Sequence, residues 1–146
     1  MEAVGVAANV IAIIDLSAKV ASLLVQYSKD VKNAKDDIAQ LHHEVSRMKV
    51  ASESVQQLIE GPNGARLETS QKMLVALGHS KALLTGLEQK LGFGRKQKAM
   101  KRIGFRALKW PFESSDVAKR VQDLMRCSND ISLAIQIDQT YVLDST

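Results

Sequence analysis

The residue types best suited to chemistry occur in three places. His42-His43-Glu44 sets two imidazoles beside a carboxylate, the ingredients of a metal site or an acid–base pair. On a helix, however, side chains at i and i+1 diverge by about 100°, and the remaining soft ligand types, His79 and Cys127, lie far along the chain. No metal site is expected from that pattern. Cys127 has no matched His or Asn motif and reads as a structural thiol, not a nucleophile. Gly92-Phe93-Gly94-Arg95-Lys96 lacks the spacing and terminal Ser/Thr of a phosphate-binding loop, and position 97 is Gln where G-x-G-x-x-G needs Gly. With no nucleophile, base and stabilising group matched to one another, the sequence points to a protein that is not an enzyme and calls for no cofactor.

The positive signal is electrostatic. The net charge of +4 is unevenly placed: residues 1–88 hold 9 basic and 10 acidic groups, and residues 113–146 hold 3 basic and 6 acidic. Between them lie Lys90, Arg95, Lys96, Lys98, Lys101, Arg102, Arg106 and Lys109 with no Asp or Glu, so the whole excess sits in one segment. Phe93, Phe105, Trp110 and Phe112, four of the six aromatics, fall in the same stretch. On a membrane, Lys and Arg attract anionic headgroups and Trp and Phe seat at the interface. On a nucleic acid the same residues neutralise phosphates and stack on bases, but two acidic flanks would repel a polyphosphate, which argues against nucleic acid. The structural alternative is a solvated loop whose Trp110 and Phe112 plug a core; Trp110 is expected in the core in either case.

The elements that must position these residues read as helices. After Ser28, Val31, Ala34, Ile38, Leu41, Val45, Met48, Ser52, Val55 and Ile59 step by three and four. Lys32, Lys35, Asp36, Asp37, Glu44, Arg47, Lys49 and Glu53 form the expected solvated face. Gly61-Pro62-Asn63-Gly64 predicts a tight hairpin. Leu67, Leu74, Leu77, Leu84, Leu87 and Leu91 mark another helix, ending at Gly92-Phe93-Gly94, in which Gly78 and Gly86 allow close approach of a neighbour. The last helix follows Trp110-Pro111-Phe112, with Ser114 or Ser115 as N-cap and Val117, Val121, Leu124, Ser128, Ile131 and Ile135 as its stripe. The fold class is therefore all-α: one helical-bundle domain over 1–146 of about four long helices plus a short basic helix or loop before the last, with helices near 2–26, 29–60, 65–91, 95–108 and 115–142.

The N-terminal helix differs from the rest. Val4, Val6, Val10, Ile11, Ile13 and Ile14 surround it while Ala3, Gly5, Ala7, Ala8 and Ala12 keep it thin, so it has almost no polar face. Such a helix is central in a bundle or inserted in lipid. Met1-Glu2 lacks the positive start of a signal peptide, and Asp15 and Lys19 interrupt the apolar run. A single cysteine and no Asn-x-Ser/Thr site place the chain in a reducing, cytoplasmic compartment.

The opening Met1-Glu2-Ala3-Val4-Gly5-Val6-Ala7-Ala8-Asn9-Val10-Ile11-Ala12-Ile13-Ile14, the long second helix, and the basic stretch closing on Leu108-Lys109-Trp110-Pro111-Phe112 together resemble the N-terminal domains of fungal NOD-like receptors, the HeLo-like group of the STAND (signal-transducing NTPase) proteins. The resemblance spans essentially the whole chain, without one sharp signature motif. It implies a cell-death or defence module in a four-helix bundle that self-associates on activation and permeabilises the plasma membrane, to which it relocates from the cytoplasm. It further implies anionic lipids as partners, and an NLR or amyloid-signalling partner as activator. Val4, Gly5, Val6, Val10, Ile11, Ile13 and Ile14 become the inserting segment; Arg95, Lys96, Lys98, Lys101, Arg102, Arg106 and Lys109 become headgroup contacts. These 146 residues do not include the nucleotide-binding domain expected downstream of such a module, which suggests either an isolated domain or a small stand-alone effector. The reading from a different class is a non-lytic helical adaptor domain.

Overall fold

The computed structural model describes residues 5–62, 64–68, 70–100 and 109–144, with backbone alone for residues 66, 68, 93–100 and 138–144. Its elements are α1 (Val6–Asp30), α2 (Lys35–Ile59), the short α3 (Gly64–Glu68), α4 (Gln71–Met100) and α5 (Ser114–Asp144). The fold is an all-α helical bundle, as the three-and-four spacing predicts.

The boundaries correct several expectations. The helix expected to start near residue 29 begins at Lys35: α1 runs to Asp30, and β-branched Val31 turns extended (φ −102°, ψ 120°). Val31 and Ala34 are nonetheless buried, so the apolar spacing continues through the turn and imitates helix. Glu44, expected in solvent, is buried with Arg47 3.4 Å away; it lies beside Val45 and one turn from Leu41, at the stripe's edge. The hairpin at Gly61–Gly64 is replaced by a turn (Gly64 N–H to Gly61 C=O, 3.1 Å), α3, and a start to α4 in which the Ser70 hydroxyl accepts from Met73 N–H at 3.3 Å. Leu67 thus belongs to α3 and not to the following helix. An added Cβ at Gly64 would run into the backbone of Ile59, so only glycine fits there.

The helix expected to end at Gly92 continues to Met100, absorbing Gly92 and Gly94 and the first residues of the separate basic helix expected near 95–108. Its anchors Leu84, Leu87 and Leu91 are buried, and no proline intervenes before Met100 to remove a hydrogen bond. Close approach at its glycines is not what the structure uses: an added Cβ at Gly78 or Gly92 meets open space, and at Gly86 only the tip of Arg120. At the start of α5, Glu113 C=O accepts from Val117 N–H at 3.1 Å, so Glu113, and neither serine, is the cap residue. The Ser114 hydroxyl instead donates to Asp37 Oδ2 at 3.0 Å.

α1 and α5 each pack along both α2 and α4, so the pairs α1/α5 and α2/α4 are diagonal. A hairpin would have set α4 beside α2, where α1 and α5 already lie; α3 instead carries the chain across the bundle end. Tyr27 reaches Leu91 near the far ends of α1 and α4, and Ser114 meets Asp37 at the near ends of α5 and α2, so each of these neighbour pairs runs parallel. α1 is covered by α2 and α4, not by the Val117 to Ile135 stripe of α5.

The core is aliphatic, with Ile13, Leu24, Leu41, Met48, Leu77, Leu84, Leu124 and Ile131 fully buried. Buried serines interrupt it on all four long helices. Ser80 donates to Ala76 C=O at 2.8 Å, whereas the hydroxyls of Ser17, Ser52 and Ser128 have no partner among the described residues.

Candidate functional site

α1 carries little charge. Between Val6 and Ser28 the charged residues are Asp15 and Lys19, and Lys19 Nζ is paired with Glu88 Oε1 of α4 at 2.8 Å. Two neighbours cover two sides of the helix, leaving Ala8, Ile11, Asp15, Ala18, Lys19, Ser22 and Val25 turned outward. Ile11 is 52% exposed and Val25 43% exposed. The outward face of α2 carries Val50 too, but sets it among Lys35, Asp36, His43, Arg47 and Glu53. Among the described residues α1 is the one helix whose length and apolarity would suffice to cross a membrane, with a mean hydropathy of 1.8 over its best window.

The proposed inserting segment is split by the fold. Val6, Val10 and Ile13 are fully buried against α2 and α4, Ile14 is half-buried, and Ile11 points to solvent. Gly5 precedes α1 in an extended conformation and offers no side-chain cap; Val4 lies outside the described residues. The segment is therefore not a lipid-ready surface in this conformation, because a helix with 3.6 residues per turn distributes consecutive apolar residues around its axis.

The proposed headgroup set is only partly placed. Arg95, Lys96 and Lys98 ride on the last turns of α4, whose backbone is described there. Lys101, Arg102 and Arg106 lie outside the described residues, and Lys109 is exposed next to Trp110. Two further cations join this end of the bundle. Lys90 Nζ lies 5.0 Å and the Arg120 guanidinium 4.9 Å from the centroid of the Phe112 ring. Arg120 is invisible to a reading by local charge because it sits in the acidic C-terminal flank; only the antiparallel packing of α4 and α5 brings it here.

Aromatic side chains close the same end. Trp110 meets Tyr27 edge-on at 5.5 Å and Phe112 edge-on at 5.2 Å. Phe112 is buried and Trp110 half-buried against the core. In this conformation they plug the bundle and do not seat at a membrane interface. The Tyr27 hydroxyl donates to Leu91 C=O at 2.7 Å, and burial pushes its phenol pKa up.

The other reactive types are dispersed. His43 is exposed, His42 half-buried and Glu44 buried, and among the described residues no three His, Cys, Asp or Glu side chains are placed to hold a metal ion. Burial raises the pKa of the Cys127 thiol, with a hydrogen bond to Ser80 opposing and Asp130 and Asp123 adding to the rise. This keeps it protonated and poorly nucleophilic near neutrality. An apolar groove between α4 and α5, with Val75, Leu133 and Ile137 on its walls, contains Lys72, His79 and Asp130 as its titratable groups. Comparison with family models, with curated proteins and with solved structures finds no match for this chain.

Proposed function

We propose that this chain is a membrane-targeting cell-death or defence domain of the kind found at the N-terminus of fungal NOD-like receptors, acting by self-association and insertion of α1 into anionic membranes. The observation that carries the reading is the outward face of α1: a corner helix of a water-soluble bundle ordinarily turns mostly charge to solvent, and this one turns Ala8, Ile11, Ala18, Ser22 and Val25 with Asp15 and Lys19 as its charges between Val6 and Ser28. Its length supports the same reading. A segment ending at Ile14 would be short of a bilayer, but the 25 residues of α1 extend about 37 Å, beyond the hydrocarbon thickness of about 30 Å. Asp15 and Lys19, spaced i and i+4, can pair with each other once Glu88 is left behind.

Insertion requires that Val6, Val10 and Ile13 leave the core, so the described conformation is the resting one, and the basic end of the bundle supplies the attraction to anionic headgroups. Dye release from anionic and neutral vesicles tests this on the full chain, alone and artificially clustered. Release selective for anionic vesicles and enhanced by clustering is expected; folded, clustered protein that neither binds nor permeabilises them would overturn the proposal. The complete burial of Val6, Val10 and Ile13 favours one second reading, a non-lytic protein–protein interaction domain in which α1 never leaves the bundle.

A further inference from the structure

We infer that the clasp of Tyr27, Trp110 and Phe112 is a latch holding α1 in the bundle, and that it opens when the adjoining cations Lys90, Lys109 and Arg120 engage an anionic lipid surface. The inference rests on the membrane reading above and adds the device that would couple binding to release.

The clasp joins three parts of the fold. Tyr27 belongs to the last turns of α1 and is tied to α4 through Leu91 C=O at 2.7 Å. Trp110 belongs to the non-helical stretch before α5 and packs its ring on Tyr27 and on Phe112. Whatever pulls residues 109–113 outward removes the packing that covers Tyr27, and with it one restraint on the C-terminal end of α1. No continuous helix has to break for this to happen, because that stretch has no helical hydrogen bonds of its own except the cap at Glu113.

Two features favour the open state at a lipid surface. The Trp110 indole N–H is buried without a hydrogen-bond partner among the described residues, a cost that folding does not recover. At a membrane interface an indole keeps its ring in an apolar layer while its N–H meets water or lipid oxygen. Lys90 and Arg120 hold the Phe112 ring as cations, and neither has a carboxylate partner among the described ion pairs. Anionic headgroups compete directly for those cations, and Lys109 lies exposed beside them.

Trp110 is the sole tryptophan, so its emission reports the latch in the full chain. Vesicles of phosphatidylserine and phosphatidylcholine carrying brominated acyl chains should quench it, while neutral vesicles and inorganic phosphate should not. Tyr27→Phe, which keeps the ring, should lower the lipid concentration for half-maximal leakage by about fivefold, the factor that one buried hydrogen bond represents. Replacing Lys90 and Arg120 together with Gln removes the headgroup contacts and should reduce the quenching by anionic vesicles. Leakage with Trp110 unquenched, or quenching indifferent to the Lys90 and Arg120 replacements, would sink the latch alone. No binding to anionic vesicles would sink both the latch and the membrane reading.

Discussion

Tyr27 and Leu91, 64 residues apart in sequence, are joined by a buried hydrogen bond of 2.7 Å from the phenolic hydroxyl to the carbonyl oxygen. The bond fixes the far end of α1 to α4 and sets the register of two parallel helices that no short connection links.

Removing that hydroxyl with Tyr27→Phe should cost about 1 kcal/mol, the usual net worth of such a bond, measured by urea unfolding at neutral pH. The pH dependence has a defined sign. Burial raises the Tyr27 pKa above 10.0 and the Cys127 pKa above 9.0 in the folded state, so folding favours the protonated forms. Their contribution is fully present below about pH 9 and is lost as pH rises through the folded-state values. Unfolding midpoints should fall on the alkaline side, and Tyr27→Phe with Cys127→Ala should flatten that fall; an unchanged slope contradicts the assignment.

Glycine substitutions in and before α4 should move stability in opposite directions. Gly78→Ala and Gly92→Ala place a methyl in open space and should each stabilise by about 0.5–1 kcal/mol through helix propensity. Gly64→Ala drives its methyl into the Ile59 backbone and should lower the thermal midpoint markedly. Equal effects at the three positions would mean that the turn before α4 is not as described.

The buried serines separate by whether their hydroxyls are satisfied. Ser52→Ala or Ser128→Ala deletes a buried, unpartnered hydroxyl and should stabilise by about 1 kcal/mol, since leaving such a group unpaired costs about 1–3 kcal/mol. Ser80→Ala deletes a hydroxyl bonded to Ala76 C=O and should be neutral or mildly destabilising. Differential scanning calorimetry of the three variants decides the matter, and a stabilising Ser80→Ala alongside a destabilising Ser52→Ala would reverse the argument.

Neighbouring isoleucines distinguish folding from insertion. Ile11 is 52% exposed and Ile13 fully buried. Ile11→Glu should leave the unfolding free energy within about 0.5 kcal/mol of the parent and yet abolish leakage of anionic vesicles, because a carboxylate carried into the hydrocarbon layer on a membrane-spanning helix costs up to about 3 kcal/mol. Ile13→Glu buries an unpaired charge and should prevent folding. Undiminished leakage from folded Ile11→Glu would place α1 outside the bilayer.

Helix period alone made the bundle legible: the stripes from Ile38 to Val55 and from Val117 to Ile131 are buried where their spacing predicts, with Val121 half-buried. Composition likewise located the basic, aromatic segment from Lys90 to Phe112, because Lys, Arg and Trp are countable without coordinates. Three-dimensional packing decided which helices are neighbours. The chain crosses a diagonal after α2, and nothing in Gly61-Pro62-Asn63-Gly64 distinguishes a hairpin from a crossing, since both need the same turn chemistry. Packing also divided Val6, Val10 and Ile13 from Ile11, brought Arg120 to Phe112 from the opposite charge region, and set Trp110 on Tyr27. Those outcomes depend on which faces of separate helices meet, and a sequence records the face of each helix but not its partner.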